Sequence, residues 1–130
     1  MRLSHSGLTF HTIAETVIGV LYALGTIHQG LFVLRSSQDF YLTMADRAWI
    51  EPAEVFIEDF LVPNSLVVTI LVVVFQGVLA VAILSRGSFV APALMAGGVF
   101  SLVGAFTGNP AETVGYVGLA GMHFWLSATH

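Results

Sequence analysis

Three polar side chains interrupt the apolar stretch HTIAETVIGVLYALGTIHQGLFVL, His11 to Leu34, at a regular interval: Glu15, Tyr22 and Gln29 stand seven residues apart. An α-helix advances about 700° in seven residues, so the three fall in one narrow stripe. His11, four before Glu15, and Thr26, four after Tyr22, join that face. A second set lies near the other end of the chain, where Glu112, Tyr116 and His123 again share one helix face. A charged side chain at mid-membrane costs on the order of 2.5–3.5 kcal/mol on insertion scales, so such groups are paired or functional. Two facing stripes of carboxylate, phenol, carboxamide and imidazole satisfy one another by hydrogen bonding. Beside an apolar slot they also supply what a quinone, lipid or sterol-like ligand requires.

The elements that carry these stripes are membrane helices. Of 130 residues, 56% are hydrophobic and 9% charged, and the mean hydropathy is +0.88, whereas soluble domains run at about 25% charged. Apolar windows occur at about 11–34, 65–84, 89–107 and 111–127, against the ~20 residues that cross ~30 Å of hydrocarbon. The expected fold is an all-α integral membrane protein, a single domain over 1–130 built as a four-transmembrane-helix up-and-down bundle.

The long connection, 35–64, is too extensive for a structureless loop in a compact domain. EPAEVFIEDFLVPNS predicts a short helix that starts at Pro52 and stops at Pro63, and DFYLTMADRAWI interleaves aromatic and charged residues. Both have the composition of helices lying at the membrane interface.

In an up-and-down bundle with short loops the first and fourth spans are antiparallel neighbours. Counting rise from their ends puts Glu15 level with His123, Tyr22 with Tyr116 and Gln29 with Glu112, which makes Glu15, Tyr22, Gln29, Glu112, Tyr116 and His123 the candidate ligand-binding seam. Carbon-copy polar pairing within that seam predicts a Glu15–His123 contact. His28 lies off the stripe, and a structural hydrogen bond is its expected role.

Association in lipid depends on small residues at four-residue spacing. The third span carries Ala93, Gly97, Ser101 and Ala105 in such a row, and the fourth carries Ala111, Gly115 and Gly118, continuing to Met122. These rows are faces for neighbouring helices, a homo-oligomer or a larger membrane complex. The second span, rich in β-branched residues, is expected to be the most lipid-exposed.

Several chemistries are excluded or disfavoured. Without cysteine there is no disulfide, thiol catalysis or Cys-based metal site in this chain. Four Arg and no Lys form no polybasic patch, so nucleic acid is not an expected partner. His28 and His123 lie at different depths and cannot share a haem, and no metal or bound cofactor is expected beyond a quinone. The glycines of GVLYALG and GYVGLAG sit within spans and form no phosphate loop. No removable signal peptide is expected at MRLSHSGLTF. Four spans put both termini on one side, and although Arg2 and Arg86 on that side tie with Arg35 and Arg47 on the other, it is assigned to the cytoplasm of a cell membrane.

GVLYALGTIHQGLFVL and FQGVLAVAILSRGSFVAPALMAG, in which a small residue, an Arg and an alanine-rich third span follow the second helix, resemble the DoxX-like family of small four-span membrane proteins. That resemblance implies association with respiratory or thiol-redox complexes and transfers no catalytic residue. An accessory subunit of a membrane redox complex, without catalytic activity of its own, is the expectation it supports; a stand-alone protein binding a quinone, lipid or sterol-like ligand in the seam is the alternative.

Overall fold

The residues around Glu15 have no proline to stop them, and the helix they form runs well beyond the apolar window. The computed structural model describes residues 2–130, with side chains from Phe10 onward. Helix α1 spans Arg2–His28 and continues through a π-helical stretch, Gln29–Val33, and a single 3-10 turn, Leu34–Ser36. Only at Ser36, with φ −135° and ψ 43°, does the backbone depart from helical angles before α2, Ser37–Arg47. The polar run RSSQDF, residues 35–40, contains that break, and helix resumes at Ser37.

The rest of the long connection is helical too. Helix α3 covers Glu51–Phe56 with Pro52 in its first turn, and a π-helical stretch, Ile57–Leu61, extends it toward Pro63. The fixed φ of proline and its missing N–H suit a first turn, where that donor has no partner anyway. Tyr41, Ala45 and Ile57 form a small core of their own, packed against Phe40, Phe56, Leu61 and Val68. That core clamps α2 onto the turn after α3.

Three long helices follow: α4, Ser65–Leu84; α5, Val90–Thr107; and α6, Pro110–Thr129. Among the described residues there is no strand. The helical path Phe10–Arg47, α4 and α5 are each long and apolar enough to cross a membrane. The expected fourth window is also a helix, but Glu112, Tyr116 and His123 keep its hydropathy below that of the other three. Helix α4 is not singled out as the exposed one: its apolar window and that of the first path are each 22% buried, whereas α5 is 44% buried and central.

Side-chain holes set the packing order. Helix α1 packs on α4, α4 on α5, and α5 most extensively on α6. Gly19 and Gly25 of α1 receive Leu84 and Gln76 of α4, so the two run antiparallel. Gly97 and Gly104 of α5 and Gly108 just after it receive His123, Tyr116 and Glu112 of α6, a second antiparallel set in which a Cβ would collide at Gly97 and Gly108 and be tightly packed at Gly104. The row Ala93–Gly97–Ser101–Ala105 is buried throughout. The corresponding row on α6 is not: Ala111, Gly115, Gly118 and Met122 all face outward, and nothing approaches the Cβ direction of Gly115 or Gly118. At the turn between α4 and α5, Arg86 adopts a left-handed φ of 58°, and its guanidinium donates to the Thr16 hydroxyl of α1.

Candidate functional site

Helix α6 returns to α1 through its polar side chains, and the register of that return differs from the one the sequence predicts. Tyr22 Oη lies 2.7 Å from His123 Nε2, and Glu15 Oε2 lies 2.8 Å from His130 Nδ1. Each partner on α6 is thus seven residues beyond the expected one, a slip of about 10 Å at 1.5 Å per residue. The predicted Glu15–His123, Tyr22–Tyr116 and Gln29–Glu112 pairs do not form. The cause lies at the helix ends. The windows 11–34 and 111–127 differ in length by seven residues: matching His11 to Ser127 gives the predicted register and matching Leu34 to Ala111 the observed one, so the helices are aligned at the end where the Asn109–Glu112 capping box starts α6.

The Tyr22–His123 pair is closed on every side. Tyr22 is 7% exposed and His123 1%. His123 Nδ1 lies 2.7 Å from the Leu119 carbonyl, which can only accept, so Nδ1 carries the proton and Nε2 accepts from the Tyr22 hydroxyl. A neutral imidazole satisfies both bonds. Gly97 provides the space: a Cβ there would sit 2.5 Å from Tyr22 Oη and 2.6 Å from His123 Cδ2.

Seven residues further along each helix, Gln29 and Tyr116 come to the same level, and here the bundle opens into a cavity of about 690 Å³. The π-helical stretch after α1 forms one wall, α2 and the turn after α3 the rim, and α4, α5 and the start of α6 the remainder. π-Helical turns interrupt the regular backbone pairing and are frequent at functional sites. Phe32, Phe40, Phe56 and Phe100 make much of the lining aromatic. Against it, the side-chain oxygens of Gln29 and Gln76 are buried and have no hydrogen-bond partner among the described residues. A larger groove of about 810 Å³ between α4 and α5 is lined by Val74, Val78, Val81 and Phe89, with Ser85 its one hydroxyl, and has little with which to orient a ligand.

The mouth of the cavity is tied shut on one side. Arg47, at the end of α2, lies 3.0 Å from Glu112 Oε1, and Trp49 Nε1 donates to Thr113 Oγ1 at 3.1 Å. The same Glu112 oxygen accepts from the Asn109 backbone N–H at 3.0 Å, and Asn109 Oδ1 accepts from Glu112 N at 2.8 Å. The ion pair is largely exposed and contributes little, whereas the capping box fixes the start of α6. Glu112→Gln, which keeps the cap and removes the charge, is expected to be nearly neutral. Glu112→Ala should cost about 1 kcal/mol, measured as the difference in unfolding free energy between the two variants in mild detergent.

Of the six residues singled out in the sequence, Gln29, Glu112 and Tyr116 line the cavity, Tyr22 and His123 form the buried pair beside it, and Glu15 lies at the far end with His130. His28 does not make the expected structural hydrogen bond among the described residues; it is exposed at the cavity wall, its ring 5.6 Å from that of Phe32. Gln76 is the cavity residue that helical spacing overlooks, and its signal is composition: it is the lone carboxamide in α4. Arg47 reaches Glu112 from a segment with no sequence pattern linking the two. Among the described residues no group of three His, Cys, Asp or Glu is placed to hold a metal ion. No protein-family model, curated protein or solved structure matches the chain.

Proposed function

We propose that the chain is an integral membrane protein that binds a lipophilic small molecule in the cavity between the end of α1 and the start of α6. In this reading α6 is a fourth span, its polar stripe turned toward α1 and α5; α2 and α3 lie at the interface as a cap; and both termini face the cytoplasm. The observation that carries the reading is a cavity of about 690 Å³, partly aromatic, with Gln29 and Gln76 among its lining residues and their carboxamide oxygens buried and unpaired. Ligand sites combine an apolar lining with a few placed polar groups in this way. A quinone, a lipid or a sterol-like compound is within the class, and catalysis by the chain alone is not required.

The test compares material extracted from the native protein with that from Val72→Trp, in which an indole occupies the cavity from α4. After purification in mild detergent, solvent extraction and mass spectrometry should find one lipophile enriched near equimolar amount in the native chain and depleted in the variant. The variant's circular dichroism should be unchanged. The same lipid profile in both proteins would overturn the reading.

A second reading is an accessory subunit of a membrane redox complex, in line with the resemblance to the DoxX-like family. The outward row Ala111, Gly115 and Gly118 on α6 favours it, because small residues let another helix approach closely. The two readings are compatible, since that row and the cavity occupy different faces.

A further inference from the structure

We infer that the cavity selects ligands whose polar end is a hydroxyl, read jointly by Gln29 and Gln76. The inference rests on the proposal that this cavity binds a lipophile and names the headgroup it takes. The Gln76 amide lies against Gly25 of α1, with Nε2 2.9 Å and Oε1 3.0 Å from where a Cβ would stand. Gly25 is four residues before Gln29, one helical turn along the same face. Two carboxamides from different helices thus line one cavity about a turn apart, and both side-chain oxygens are buried without a donor.

An unpaired acceptor in a water-poor site is costly, and a ligand donor relieves it. A ligand bearing only carbonyl oxygens leaves both acceptors as they are. An ammonium group would need a facing carboxylate, yet the acids at this cavity are Glu112, already paired with Arg47, and Asp39, which is exposed at the rim. A hydroxyl fits: it donates to one carboxamide oxygen and accepts from the N–H₂ of the other. Because each carboxamide offers both an acceptor and donors, the match survives exchange of oxygen and nitrogen at either residue. The aromatic wall of Phe32, Phe40 and Phe100 takes the hydrocarbon part.

The experiment measures binding of farnesol and of farnesyl methyl ether to the full chain in mild detergent, by tryptophan quenching and by shift in Tm. The ether keeps the hydrocarbon and an acceptor but has no donor. Farnesol should bind about ten- to a hundredfold more tightly than the ether, the range expected when a buried acceptor is left unpaired. Gln76→Leu should reduce that ratio to about threefold or less. Equal binding of the two probes by the native chain overturns the headgroup inference and leaves the lipophile reading standing. Binding of neither probe overturns both. If Gln76→Leu does not fold, the alcohol-to-ether ratio of the native chain decides alone.

Discussion

Gly97→Leu is expected to abolish the folded monomer, and Gly97→Ala to lower its stability by about 1–3 kcal/mol, the usual range for overpacking a filled core. A single methyl at this position meets Tyr22 Oη at 2.5 Å, His123 Cδ2 at 2.6 Å and His123 Nε2 at 2.8 Å. None of these atoms has an easy way out. Tyr22 and His123 are buried and bonded to each other, and Nδ1 of the imidazole is tied to the Leu119 carbonyl. The comparison that isolates the steric cause is Gly118→Ala on α6. It points into open space, so it should be neutral or stabilise by up to about 1 kcal/mol through the helix preference for alanine. Thermal and denaturant unfolding in detergent measure both. Equal effects at the two positions would mean that Gly97 does not face the Tyr22–His123 pair.

The two rows of small residues read alike in the sequence, yet one is buried and the other open. Four-residue spacing marks a face on which another helix can settle, and whether this chain or another supplies that helix depends on which large side chains stand opposite. On α5 the opposing residues are His123 and Tyr116, and their volume needs Gly97 and Gly104. Periodicity reports the face and is silent on its occupant.

The polar stripes were legible for a similar reason, and their register was not. Residues seven apart on a helix share a face wherever the helix begins, so Glu15, Tyr22 and Gln29 could be grouped without knowing its ends. Depth, by contrast, is counted from an end. The two apolar windows differ by seven residues in length, so matching them at His11 and Ser127 gives a different register from matching them at Leu34 and Ala111, where the helices are in fact aligned. The start of α6 was readable in principle from Asn109, Pro110 and Glu112, a capping box with proline at the first helical position. The cavity was less legible still. It gathers Gln29, Gln76, Tyr116 and the Arg47–Glu112 pair from four segments, and its shape depends on a cap held by a small core of Tyr41, Ala45 and Ile57.

The register makes a second large effect testable. Tyr22→Phe leaves His123 Nε2 a buried acceptor without a donor, and His123→Leu leaves the Tyr22 hydroxyl buried without its acceptor; each should cost about 1–3 kcal/mol. The double variant removes both orphans together and should cost less than the two singles combined, by about 0.5–2 kcal/mol, within the range seen for hydrogen bonds between membrane helices. Glu15→Gln with His123→Leu is the contrasting cycle. Those residues bond to different partners, His130 and Tyr22, one two-turn step apart along the seam, so their effects should add within about 0.5 kcal/mol. Unfolding free energies of the variants in one detergent measure both cycles. Coupling in the Glu15–His123 cycle with additivity in the Tyr22–His123 cycle would restore the register counted from the helix ends. It would also move Gln29 away from Tyr116 and take the cavity with it, because the cavity's level is fixed by that rung.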